Sequence, residues 1–358
     1  MKPALSVVIA TRDRMDEITR CLRAVRTAAR AARVQVEVIV VDDGSRDGTA
    51  GRLREIAREW GARLPLRPVR LPQSRGPAGA RNAGVAAARA PWVVFTDSDC
   101  RPAPGWLAAY AKAIARHPEA ILLEGPVRPE GAAHADVYSH VVANVRGGQG
   151  LTSNLAVRAD TFRRLGGLDE RFNHPHCRED TDFYFTVLEQ EATVPFVPAA
   201  AVFHPVKRGK PGLFLRESRY CLHEPLLFCR HPRLYLTRLK WIDGWAIPAY
   251  HLGFHAAALW GILVLAGAVP AAKASAIGIP ALAAASLAAT LYALLRRRRA
   301  SAGEVVLLTA ESLVAPFLRL WWTAVGAGRV TGILLTGKLF VSGGSAGGAS
   351  RTRGHRPR

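Results

Sequence analysis

The sequence predicts an α/β domain on a right-handed, mostly parallel sheet, spanning residues 1–205 and followed by an apolar C-terminal region. Three observations carry this. Apolar β runs in SVVIATRDR (6–14), VIVVDDGSRDGT (38–49) and WVVFTDSDC (92–100) each stop at a cluster of acids, hydroxyls or glycine. Stretches with helical apolar spacing separate them, as βα alternation requires. A fourth block, REDTDF (178–183), sets two adjacent carboxylates about eighty residues further on. Open parallel sheets bind ligands at the carboxyl ends of their strands, so the first three blocks mark one ligand edge.

The elements follow in order. Residues 5–10 form a buried strand, and Asp13 and Asp16 are placed to cap a helix with Ile18, Leu22, Val25 and Ala29 on one face. A second strand, 36–41, leads to a helix with Leu53, Ile56, Ala57 and Trp60 inward and Gly61 as its stop. A third β/turn/α passage runs through 66–71 and the loop QSRGPAGARNAG (73–84). The strand 92–96 and the helix 106–116 come next, then a glycine- and histidine-containing loop over 126–150. Residues 153–172 read as a strand, a helix opening at Asp160 and a Gly-Gly turn, and 179–191 as a helix starting at the paired acids.

The 358 residues leave room for about two domains. Between 245 and 295 only Lys273 is charged, which divides the segment into uncharged runs at 245–272 and 274–295. Each is long enough to span a bilayer core. The four arginines 296–299 orient such a hairpin with its ends in the cytoplasm. Residues 304–325 could cross as well, but Glu311 and Arg319 are costly at mid-bilayer and Trp321-Trp322 suits an interface, so a helix lying on the membrane is favoured. A basic, aromatic interfacial segment (206–243) precedes this membrane region (244–341), and a disordered basic tail (342–358) ends it. The net charge of +21 invites a nucleic-acid reading. No nucleic-acid-binding module pattern appears, however, and the arginines beside apolar spans fit anionic lipid and diphosphate substrates instead. An odd, scattered set of five cysteines indicates a reducing compartment, and the apolar run 3–11 reads as a strand rather than a leader. The expectation is a multi-pass membrane protein with a cytoplasmic catalytic domain.

Asp97-Ser98-Asp99 at a strand end can hold Mg²⁺ or Mn²⁺ while leaving positions for phosphate oxygens. At the neighbouring strand end, Asp42 can accept from a base imide, and Asp43 with Ser45 can reach ribose or close the turn. In this combination the sequence resembles the family 2 glycosyltransferases, which share the A-type nucleotide-diphospho-sugar transferase fold, over about residues 4–205. The resemblance implies inverting transfer of a sugar from a nucleotide donor, a UDP-sugar being favoured. It implies that Ala10, Thr11 and Asp42 line base and ribose, that Asp97 reaches ribose or metal, and that Asp99 is the principal metal ligand. Arg81 in GARNAG matches the family's arginine beside the nucleotide; it also reads as an ordinary helix-face arginine. Asp180 of the Glu179-Asp180 pair is implied as the general base, although acids at a helix start also complement its dipole. His204 is a candidate for the metal or the diphosphate.

LRESRY (215–220) is a weak likeness of the Q-x-x-R-W signature of polysaccharide synthases, with Arg216 and Tyr220 replacing Gln and Trp, which argues against a processive enzyme. The spacings of Cys221, His223, Cys229 and His231, with His174, His176 and Cys177, do not match the usual zinc pairs. The implied acceptor is lipid-linked or a cell-envelope glycan, since the site is tethered near a bilayer. Two other readings are weighed. A nucleotidyltransferase would carry a glycine- and lysine-rich loop after the first strand, which SVVIATRDR lacks; an inactive nucleotide-binding membrane adaptor would not need Asp42, Asp97, Asp99 and Asp180 together.

Overall fold

The computed structural model describes residues 2–239, apart from 63, and 301–336, with a few isolated positions between them. The expected spans 245–272 and 274–295 and the tail 342–358 lie outside the described residues.

Strands β1 (Leu5–Thr11), β2 (Val36–Asp42), β3 (Leu66–Arg70) and β4 (Trp92–Thr96) are parallel, in the order β3-β2-β1-β4. All of β2 and nearly all of β1 are buried, as strands covered on both faces must be. Alternate side chains therefore face different helices. Val7, Ile9, Val38 and Val40 pack with α1 (Met15–Ala31), α2 (Thr49–Trp60) and α4 (Trp106–Arg116). Val8, Ile39 and Val41 pack with α3 (Gly76–Ala87), α5 (Ala159–Arg164) and α6 (Glu179–Leu188). The result is a mixed α/β three-layer domain.

The helix α3 occupies most of the segment expected to be loop. Its glycines and proline disfavour a helix interior. Pro77, however, lies in the first turn, where a missing N–H costs nothing. Asp43 takes the N–H groups of Arg75 and Gly76 at 2.7 and 3.0 Å and the Ser74 hydroxyl at 2.6 Å, so it tethers the helix start. Gly84 is required by close packing, since a Cβ there would meet Val8 Cγ1 at 2.4 Å. The expected Asp13 and Asp16 caps are also replaced. Asp13 turns at φ 49° and accepts from Arg46 N, while the N–H of Met15, which begins α1, goes to Asp47 at 3.1 Å.

The sheet is completed by β6 (Leu122–Glu124) and β8 (Asn154–Arg158), with β8 antiparallel to both its neighbours. A second, three-stranded sheet joins β5 (Arg101–Pro102), β9 (Val202–Pro205) and β7 (Val127–Glu130). The strand β7 falls in the stretch expected to be loop, and β6 was not foreseen. Asn154 locks the two sheets together: its Oδ1 accepts from Trp106 Nε1 and Tyr110 Oη, and its Nδ2 donates to the carbonyls of Pro126 and Ala200.

Helix α6 ends at Leu188, short of the expected 191. Downstream, α7 (Leu213–Glu217) and α8 (Glu224–Arg230) pack against the C-terminal helix Ala302–Thr336. Glu311 is not exposed at mid-helix: it is buried and accepts the N–H groups of Gly212 and Phe214. Over Ala302–Ile333 this helix is long and apolar enough to cross a membrane. Its outward face carries Val306, Val314, Phe317, Leu320 and Trp321.

Candidate active site

The site lies at the carboxyl ends of β1, β2 and β4. Asp97, Ser98 and Asp99 leave β4 and enter β5, which pairs antiparallel with β9 through Arg101 and Phe203. That pairing brings His204 beside Asp99. Ligand atoms of Asp97, Asp99, Cys100 and His204 all lie within 4.8 Å of one another, the one such group among the described residues. His204 Nδ1 lies 3.0 Å from the Pro205 carbonyl, which can only accept, so the proton is on Nδ1. Its Nε2 faces Asp99 Oδ1 at 3.8 Å. A hydrogen bond on the far nitrogen is the usual way a metal-binding imidazole is oriented. Asp99 Oδ1 is itself buried and has no hydrogen-bond partner among the described residues. An orphaned carboxylate oxygen facing an oriented imidazole, with a second carboxylate close by, fits a divalent cation held by oxygen and nitrogen donors. Cys100 is a core residue whose thiol is pushed well up by burial and by the Asp97 and Asp99 charges.

Arg81 reaches this cluster from α3. Its Nη2 donates to Asp97 at 2.7 Å and its Nη1 to Glu179 at 3.2 Å. It is therefore not a solvated helix-face arginine: it joins Asp97, at the end of β4, to the paired acids at the start of α6. Burial pushes the Glu179 carboxyl up to about 7, the neighbouring Asp180 charge adding to this and Arg81 opposing it. Asp180 is raised as well, by burial, against the pull of Arg81 and of the Thr181 N–H, which its Oδ1 accepts at 2.8 Å. Asp182, on the same helix, is committed elsewhere. Arg230 Nε and His231 Nε2 contact its Oδ1 at 2.5 and 3.1 Å.

At the end of β2, Asp42 is buried and already accepts from Ser45 N at 2.8 Å and from Arg70 Nη1 at 3.0 Å. That bond from Ser45 closes the turn after β2, while the Asp43 carboxylate is spent on the start of α3. Ala10 and Thr11 end β1 beside these acids, and the Thr11 hydroxyl is buried with no partner among the described residues. His223 and His231, singled out for their spacing to cysteines, are engaged by the Pro175 carbonyl and by Asp182 with Glu189.

Two residues of the site went unnoticed in the sequence. Arg14 and Lys207 both donate to Asp99 Oδ2, Arg14 at 3.0 Å. Arg14 closes the first block and Lys207 follows His204 by three positions. Each reads as one surface cation among 49.

Residues 6–178 match the model of glycosyl transferase family 2. This part of the chain belongs to that family. The chain is 28% identical over 242 residues to the pre-mycofactocin glycosyltransferase of Mycobacterium tuberculosis (strain ATCC 25618 / H37Rv), covering 64% of this chain and 48% of that protein. It is 39% identical over 97 residues to the succinoglycan biosynthesis protein ExoO of Rhizobium meliloti, covering 27% of this chain and 26% of that one. The chain thus spans about half or less of these curated relatives. The mannosyltransferase PcManGT from Pyrobaculum calidifontis, solved with GDP-Man and Mn²⁺, has the same fold: TM-score 0.58 at 21% identity, over 90% of this chain and 88% of that one.

Proposed function

We propose that the chain is an inverting, metal-assisted glycosyltransferase that moves a sugar from a nucleoside diphosphate to an acceptor hydroxyl, with Asp180 as general base. The observation that supports this most is the meeting, at one sheet edge, of Asp97, Asp99 and His204 with Glu179 and Asp180 through Arg81. The acceptor oxygen attacks the anomeric carbon from the face opposite the diphosphate, and its proton passes to Asp180. The bond to the diphosphate breaks, and its electron pair stays with the departing oxygen. The raised pKa of Asp180 brings its basicity nearer neutral pH, where a general base works best. Arg81 holds Glu179, which leaves Asp180 as the carboxylate of the pair without an ion-pair partner among the described residues. Ala10, Thr11 and Asp42 line base and ribose, and Asp97 reaches ribose or metal. When bound by Asp99, Asp97 and His204, Mg²⁺ or Mn²⁺ would neutralise charge on the leaving diphosphate.

The acceptor in this reading is lipid-linked or a cell-envelope glycan, and the enzyme works at the cytoplasmic face of the cell membrane. The exposed apolar face of the C-terminal helix supports this, as do the uncharged runs 245–272 and 274–295. One relative is named for succinoglycan biosynthesis, which suits a glycan acceptor. The test is a donor-hydrolysis screen across UDP- and GDP-sugars with Mn²⁺, Mg²⁺ or EDTA. Metal-dependent hydrolysis of one donor class is expected, with UDP-sugars favoured. Hydrolysis of none, together with no binding of UDP or GDP, would refute the reading.

A further inference from the structure

The carboxylate at the centre of the metal cluster is neutralised by two cations that the proposed chemistry leaves unused. Lys207 Nζ and Arg14 Nη1 both donate to Asp99 Oδ2, while Asp99 Oδ1 faces His204. The Asp99 side chain is 4% exposed, but those of Lys207 and Arg14 are 44% and 41% exposed. A buried anion is thus held by flexible stems that reach in from solvent. The Lys207 backbone is pinned: its N–H donates to the His140 carbonyl at 3.2 Å, and its own carbonyl accepts from His140 N at 2.8 Å. Only the side chain is free to swing.

A divalent cation held by Asp99 and the Lys207 ammonium would be like charges on one buried carboxyl, and burial would strengthen their repulsion. The two therefore compete for Asp99. A donor diphosphate beside the metal offers the displaced ammonium several anionic oxygens. Lysine suits such an exchange, because it presents a compact charge with three rotatable donors on a four-carbon stem. Arg14 is less free, since the same Nη1 also contacts Ser98 Oγ at 3.4 Å.

We infer that Lys207 is an exchangeable counter-ion of the site: it pairs with Asp99 when no metal does, and with the donor's diphosphate once a metal takes Asp99. The inference rests on the reading of the site as one for a metal and a nucleoside diphosphate. It makes metal and diphosphate binding mutually reinforcing through one side chain, and such coupling is reciprocal.

The experiment uses the full chain and two probes that need no acceptor: Mn²⁺ alone, followed by electron paramagnetic resonance, and UDP or GDP at saturating Mn²⁺, followed by calorimetry. Lys207→Gln should bind Mn²⁺ alone several-fold more tightly than wild type. It should bind the diphosphate about ten- to a hundredfold more weakly, the worth of a charge-assisted hydrogen bond. The corresponding monophosphate should lose less. Lys207→Arg, which keeps the charge, should recover most of the diphosphate affinity and serves as the folding control. Unchanged or weaker Mn²⁺ binding by Lys207→Gln overturns the competition. Undiminished diphosphate affinity overturns the exchange. If wild type binds neither UDP nor GDP with Mn²⁺, the underlying reading and the inference fall together, a result distinct from binding that ignores residue 207.

Discussion

Arg81 and Glu179, 98 positions apart in the chain, meet at 3.2 Å inside the glycosyltransferase domain. The same guanidinium holds Asp97, so one side chain ties the end of β4 to the start of α6. The Arg81 and Glu179 side chains are 9% and 12% exposed. Removing the arginine strands Glu179 in a poorly solvated place and leaves the part-buried Asp97 without its partner. Arg81→Gln should lower stability by about 3–5 kcal/mol, the usual cost of breaking a buried pair from one side. Denaturant unfolding of Arg81→Gln, Glu179→Gln and the double variant checks it. The double variant should be more stable than the sum of the single losses implies, and strict additivity would show the contact to be passive.

Asp99→Ala should abolish donor hydrolysis. It should also weaken UDP or GDP binding far more with Mn²⁺ present than in EDTA, because this carboxylate would link protein to metal to diphosphate. Equal loss in both conditions would make Asp99 a structural residue only.

Asp180→Asn should leave donor affinity near wild type and lower transfer by about 10²–10⁴-fold, the contribution expected of a positioned base. The amide keeps the shape and the bond to Thr181 N while losing basicity. Steady-state kinetics separates the two effects, and wild-type turnover would move the base to Glu179 or elsewhere.

The anchor of α6 should be sensitive to pH. Burial lowers the His231 pKa, but the carboxylates of Asp182 and Glu189, 3.1 and 2.9 Å from its ring nitrogens, outweigh it, and the net shift is upward from 6.5. A raised value stabilises the fold fully below the unfolded value, about 6.5, and this stabilisation is lost as pH rises through the folded one. Arg230, the other cation on Asp182, stays charged throughout. Thermal melts should therefore show wild type losing stability, relative to His231→Gln, from about pH 6.5 upward. Parallel curves for the two proteins would contradict this.

Much of the domain was legible in the residues alone. Strands buried on both faces write near-continuous apolar runs, so β1, β2 and β4 announce themselves, as do the acids at their ends. The regular apolar spacing of α1, α2 and α4 is equally local. What the sequence could not disclose is set by partners far along the chain. The strands β5, β6, β7 and β9 have two to four residues each, too few to carry a period of their own, and they exist because neighbouring strands accept their hydrogen bonds. Helix α3 forms against the propensity of its glycines because Asp43 tethers its first N–H groups and the sheet packs against its face, closely enough at residue 84 to admit no Cβ. The pairing of β9 with β5 and β7 delivers His204 to Asp99 and carries Lys207 within reach of it. Strand ends and helix faces are local patterns of period two and 3.6. Which cation neutralises which buried carboxylate depends on distances through space, and only the folded chain sets those.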